Sequence, residues 1–251
     1  MYERNAEIQE CWEKNGWYGF SDTSDVSSNL LYNPDDEAME TLESLKPDWF
    51  VYHKPFLLSR DRSILYGFTV SEDTVLKIPE SVIVYDNLFI HEEAYGYKKI
   101  YIGGNLEEIV NVQNAFGFYV EDYMVTEWND YFDSDAGILY DVAPPKEDED
   151  DWCGCSKLIL FPSGRGISSP ELYVQYRYDQ FWDLVIGEYA FFMKGFIKAM
   201  VLPPDTEIED NAFFIKDGRG VIFVDHYVGK QLLEAKSNGM IEGTDIKCYE
   251  C

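Results

Sequence analysis

Several short segments carry apolar residues at alternate positions, a period of two. These are Leu76-Lys77-Ile78, Ile100-Tyr101-Ile102, Met124-Val125-Thr126, Met200-Val201-Leu202 and Ile222-Phe223-Val224. Such alternation belongs to half-buried β-strands. The segments recur at fixed spacing: residues 78 and 102 lie 24 apart, as do 100 and 124, and residues 202 and 224 lie 22 apart. A second apolar pattern falls between them. Ile186–Phe191 reads IGEYAF, and 22 residues later Ile208–Phe213 reads IEDNAF. Val84 and Phe89 keep the same spacing of five, whereas Ile109 and Phe116 are seven apart, which implies a two-residue insertion. A unit of this length, with one short strand and one apolar turn, cannot bury its own hydrophobic face. Stacked neighbours can, so the pattern predicts a solenoid. Its expected buried rows are the strand aliphatics, the row Val84/Ile186/Ile208 and the row Phe89/Phe116/Phe191/Phe213.

A second block repeats at longer range. Asp61–Tyr66, DRSILY, matches Asp135–Tyr140, DAGILY, and the latter is followed by Lys157–Gly164, KLILFPSG. The succession of strand, Pro and Ile-x-x-x-Ala-Phe resembles the BspA-type leucine-rich repeat. Asp133–Tyr140 together with Leu158–Gly164 resembles the irregular hairpin unit of that family. The resemblance covers roughly residues 56–225. It implies a leucine-rich-repeat-like right-handed arc, in the α/β to mostly-β solenoid class, with short parallel strands, irregular hairpin units and a small N-terminal helical cap. It also implies binding by surface and no catalysis, and many family members are secreted or surface-attached. Two departures stand out. The Cys that usually follows Ala-Phe is missing, and the asparagine ladder of ordinary leucine-rich repeats is expected to be absent.

The repeats are expected over 51–229, flanked by an N-terminal cap over 1–50 and a C-terminal cap or tail over 230–251. Within the first flank, Glu37–Lys46 reads as a short helix opened by acids and stopped by Pro47, and residues 5–14 read as another. Such a cap would cover the open edge of the first rung. A further helix is expected at Lys230–Ser237.

Charge narrows the partners. The 251 residues include 47 acidic and 20 basic ones, for a formal net charge of −27. Nucleic acid and anionic membranes are excluded as partners, because phosphate binding needs clustered Lys and Arg. Among protein partners a basic one is attractive, since an acidic field speeds its encounter, though solubility is the larger reason for the charge. Acidity also keeps a strand-rich chain soluble, and a monomer is expected. No run of 18 apolar residues exists, so no membrane insertion is expected. The opening MYERNAEIQECWEK has neither a basic n-region nor an apolar h-region, so the expected location is cytoplasmic, or secreted or at the cell surface if a signal has been removed.

Candidate chemistry is sparse. Cys153, Cys155, Cys248 and Cys251 form a CxC and a CxxC, enough thiolates for a tetrahedral structural zinc if loop and tail converge. Two unrelated thiol pairs, or disulfides in an exported chain, are the alternatives; otherwise no cofactor is expected. The acidic run Glu147–Asp151 lacks the alternating spacing of a calcium loop. His53, His91 and His226 fit no metal-binding spacing, and no nucleophile elbow or phosphate loop occurs. Strand alternation instead picks out a surface row: Lys77, Tyr101, Val125, Val201 and Phe223 should point to the open face of the sheet. The leading expectation is a non-enzymatic protein–protein recognition scaffold using that face and its loops. The alternatives are an acidic immunity-type inhibitor or nucleic-acid mimic that neutralises a basic protein, and a carbohydrate-binding or adhesion module.

Overall fold

The computed structural model describes residues 18–19, 50–53, 55–68, 74–86, 89–90, 97–110, 112, 115–116, 119–142, 156–165, 173–174, 184–194, 199–202, 206–216, 218–224 and 226–248. After a first short strand, β1 (Tyr18–Gly19), comes an antiparallel meander of β2 (Phe50–His53), β3 (Phe56–Ser59) and β4 (Ile64–Phe68). Six further strands wind onward: β5 (Val75–Lys77), β6 (Val84–Tyr85), β7 (Phe89–Ile90), β8 (Lys99–Ile102), β9 (Glu108–Ile109) and β10 (Asp122–Val125). Strands β5, β8 and β10 stack in parallel as one sheet. Strands β6 and β9 extend the meander in parallel, giving the order β2-β3-β4-β6-β9.

The second half repeats this plan. Its meander is β11 (Phe132–Asp135), β12 (Ile138–Asp141) and β13 (Ser156–Leu160). There follow β14 (Tyr173–Val174), β15 (Leu184–Ile186), β16 (Phe191–Lys194), β17 (Ala199–Val201), β18 (Glu207–Ile208), β19 (Phe213–Lys216) and β20 (Gly220–Val224). Strands β15 and β18 extend the meander in parallel, and β16 pairs with β19. Helix α1 (His226–Ser237) then returns the chain to β21 (Thr244–Cys248), the last rung of the sheet β14-β17-β20-β21. The fold is a mostly-β solenoid, as the spacing predicts. The helix starts four residues before its expected start, and the segment set apart as a tail supplies a rung. The expected helices at 5–14 and 37–46 lie outside the described residues. Among the described residues no helix is long and apolar enough to cross a membrane.

There are two cores, and the second meander contributes to both: Phe132, Leu139, Ile159 and Leu160 pack into the first, Ile138, Tyr140 and Leu158 into the second. Leu65, Leu76, Tyr85, Ile100, Phe116 and Tyr123 anchor the first, and Leu158, Ile186, Phe191, Met200, Phe213 and Ile222 the second. The repeated IGEYAF and IEDNAF segments explain themselves here. Phe191 and Phe213 face each other in register, with ring centroids 4.6 Å apart and planes within 3°, and Phe161 extends the stack at 4.9 Å. The preceding residues, Tyr189 and Asn211, both take a left-handed φ of 58°, which closes the turn. Ala190 and Ala212 donate their N–H groups to Gly187 and Glu209 carbonyls, at 3.1 and 3.2 Å.

Three expectations are corrected. The inward residue of β6 is Tyr85, paired with Ile109, while Val84 is half-buried and faces Glu108. Both residues are apolar, so alternation alone could not choose, and a one-residue slip exchanges the two faces. The segment Asp61–Tyr66 does not correspond to Asp135–Tyr140. Ile64 opens β4 and pairs with Val84, as Leu158 of β13 pairs with Ile186, whereas Ile138–Tyr140 lies in β12, the counterpart of β3. An asparagine ladder is also present in short form. Asn105 donates to the Glu80 carbonyl at 2.8 Å, and Asn129 donates to the Gly103 and Leu106 carbonyls at 2.7 and 3.0 Å.

The two halves meet at β10. Its outer N–H groups are taken by the β11–β12 hairpin: Tyr123 donates to the Gly137 carbonyl and Val125 to Ser134 Oγ, each at 3.0 Å. Ala136 and Gly137 both take positive φ, the two-residue turn that matches strand twist. Arg165 reaches back with Nε to the Glu121 carbonyl at 2.6 Å and with its terminal nitrogen to Asp122 at 3.4 Å. At the far end, Gly239 and Met240 close α1, donating to the Lys236 and Ala235 carbonyls at 3.1 and 3.0 Å.

Candidate recognition surfaces

The surface row expected from alternation divides between two sheets. On the first, Lys77 is exposed beside half-buried Tyr101. The register there shifts the third member: Tyr101 is paired with Met124, and Val125 with Ile102. Met124, 37% exposed, therefore holds the outward place assigned to Val125, which packs against the first core. The cause is again two neighbouring apolar residues at a strand whose spacing from β8 is 23 and not 24. On the second sheet, Val201 is 48% exposed and lies beside half-buried Phe223, which in turn lies beside exposed Lys247. Adjacent rungs sit about 4.8 Å apart, so each trio forms a continuous strip on a fixed ladder.

The strand ends of the first sheet differ in charge. At the leading ends acids and cations pair across rungs: Lys98 Nζ lies 3.0 Å from Glu121 Oε1, and Lys99 Nζ lies 3.5 Å from Asp122 Oδ2. At the trailing ends the turns read PES (79–81), GGNLE (103–107) and TEWND (126–130), with no Lys or Arg. Glu80, Glu107, Glu127 and Asp130 are exposed there, and none forms an ion pair among the described residues. Contacts between turns bind the three into one rim. A Cβ at Gly103 would lie 2.7 Å from the Glu80 carboxylate, and one at Gly104 would lie 3.4 Å from the Trp128 carbonyl. Asn129 donates back to the Gly103 turn and accepts from the Tyr131 and Phe132 N–H groups at 2.8 and 2.7 Å. Beside this tightly held residue, Trp128 is 80% exposed. Periodicity gave no reason to single out Met124 or Trp128; the sequence signal for the latter is an indole in an acidic turn without a cation.

Among the described residues, three groups are shifted clearly from their ordinary values. Burial pushes the Tyr85 and Tyr123 phenols up, and Tyr85 donates its hydroxyl to the Ala115 carbonyl. Hydrogen bonds from Ser59 and from Ser63 hold the Asp61 carboxyl down at about 2. A cleft of about 560 Å³ opens beside β5, lined by Pro55, Phe56, Leu76, Lys77 and Tyr97 among others. Cys248 is an exposed free thiol on β21; Cys153, Cys155 and Cys251 lie outside the described residues, as does the acidic run Glu147–Asp151.

No family model matches the chain, and no curated protein does. Among solved structures, the chain is similar to the crystal structure of the pneumococcal vaccine antigen PcpA. Identity is 12%, the TM-score is 0.30, and the match covers 73% of this chain and 70% of that one. A likeness at this level carries no functional reading.

Proposed function

We propose that this chain is a non-catalytic recognition scaffold, which binds a protein partner through the outward face of its parallel rungs and the loops beside them. The observation that supports this reading is the pairing of Val201, 48% exposed, with Phe223 on adjoining strands. An apolar strip on a sheet face is what a docking partner would cover, and a hydrogen-bonded ladder presents it with little ordering entropy left to lose. The test compares capture from the native host by the wild-type chain and by the double variant Val201→Ser, Phe223→Ser, after equal thermal midpoints confirm folding. A partner held by the wild type and released by the double variant supports the reading. A partner held equally by both removes it.

The net charge of −27 and the exposed acids Glu80, Glu107, Glu127 and Asp130 of the rim turns favour a second reading, in which the chain neutralises a basic protein. A complex of that kind weakens steeply from low to molar salt, because exposed charges are screened beyond a few ångströms. Retention of the partner in molar salt would exclude it.

A further inference from the structure

We propose that the rim at the trailing ends of β5, β8 and β10 binds a basic protein segment, with an arginine guanidinium stacked on Trp128 and flanked by Glu127 and Asp130. This deepens the second reading above and rests on it. The anchor is the indole, 80% exposed in a turn whose next residue, Asn129, makes four hydrogen bonds to two rungs. An aromatic ring on a turn fixed in this way loses little freedom when a partner covers it.

Charge selects the occupant. Among the described residues Glu80, Glu107, Glu127 and Asp130 face solvent without an ion-pair partner, and the exposed Lys77 that ends β5 lies two rungs from the strand that leads to Trp128, whereas the acids at the opposite strand ends are paired with Lys98, Lys99 and Arg165. An anionic partner would meet like charge. A purely apolar one would strip water from carboxylates and return nothing. A cationic segment satisfies both the ring and the carboxylates. Arginine suits the site better than lysine, because its planar fork stacks on an aromatic face and bonds a carboxylate through two N–H groups.

The test measures fluorescence anisotropy of labelled nona-arginine with the full chain. Trp128→Ala is expected to weaken binding about fivefold, with Trp128→Phe in between. The pair Glu127→Gln, Asp130→Asn is expected to weaken it several-fold, while Glu234→Gln on α1 leaves it unchanged. Nona-lysine should bind more weakly than nona-arginine. If Trp128→Ala binds as the wild type does, or if Glu234→Gln weakens binding as much as the rim pair, the attraction is diffuse and the site is wrong. Acrylamide quenching guards against a folding artefact. The emission lost in Trp128→Phe should be the part that nona-arginine protects in the wild type, and its equal quenching with and without peptide would also overturn the proposal. Failure here leaves the sheet-face reading standing, since that depends on Val201 and Phe223.

Discussion

The first half of the solenoid, β2 to β10, and the second, β11 to β21, share a plan and fill it differently. Both begin with an antiparallel meander and continue as parallel rungs. In the second half, aromatic contact runs as an in-register stack through Phe161, Phe191 and Phe213, with plain aliphatics such as Ile186 and Ile208 alongside. In the first, Tyr85 occupies the place of Ile186. Its ring packs 5.1 Å from Phe116 and its hydroxyl is satisfied by the Ala115 carbonyl. Ala115 lies on the stretch from Ile109 to Phe116, which is two residues longer than Ile208–Phe213. A repeat can thus change length and keep its core, provided the larger side chain brings a polar end that finds a partner.

The sharpest way to test this contrast is to remove one ring from the stack. Phe191→Ala deletes the central member and should cost about 3–5 kcal/mol, read as a lower denaturant midpoint at unchanged slope. Tyr85→Phe keeps the ring and deletes only the hydroxyl. It should cost about 1–3 kcal/mol, because the Ala115 carbonyl is left without that donor. A neutral result would mean that the first core does not depend on its polar tether, and the contrast would fail. Next comes the turn. Tyr189 and Asn211 share a left-handed φ of 58°, a conformation Asn tolerates better than Tyr. Tyr189→Asn should therefore stabilise by up to ~1 kcal/mol, and Asn211→Tyr should destabilise by about as much. Thermal midpoints that move the other way would show that the edge-on contact of Tyr189 with Phe192, at 6.4 Å, outweighs the backbone term.

The smallest effect concerns the connection between the second and third meander strands. In the first half it is a four-residue turn built on Asp61, whose carboxyl is held at about 2 by Ser59 and Ser63 against an ordinary value of 3.8. The folded value lies below the unfolded one. Its contribution is therefore fully present above pH 4 and fades as pH falls from 4 towards 2. Asp61→Asn should flatten the acid limb of the thermal midpoint in that window. An unchanged limb would place the acid sensitivity elsewhere.

Much of the fold was legible, and the candidate sites much less so. The spacing of Phe191 and Phe213 predicted a shared rung, and they occupy one. A polar residue fixed the outward phase at Lys77; the phase also came out at Phe223, although its neighbours are apolar, and it slipped at Val84-Tyr85 and Met124-Val125, where two apolar residues adjoin. The second slip exchanged an outward side chain for an inward one. Of the rim, only the indole between Glu127 and Asp130 could have been read, because Glu80 and Glu107 come from other turns that only stacking brings beside it.

By itself, the sequence determined the period, the strand-rich solenoid and the stacking of Phe191 on Phe213, because an apolar residue recurring at a constant interval must be buried at the same level of each turn; Phe161, which extends the stack, was not in the expected row, and the side chain of Phe89, which was, lies outside those described. The tertiary structure decided register, charge pairing and exposure. Hydrogen bonds between strands choose which of two neighbouring apolar side chains turns inward. Distance across rungs, and not distance along the chain, determines that Glu121 and Asp122 meet lysines while Glu127 and Asp130 do not.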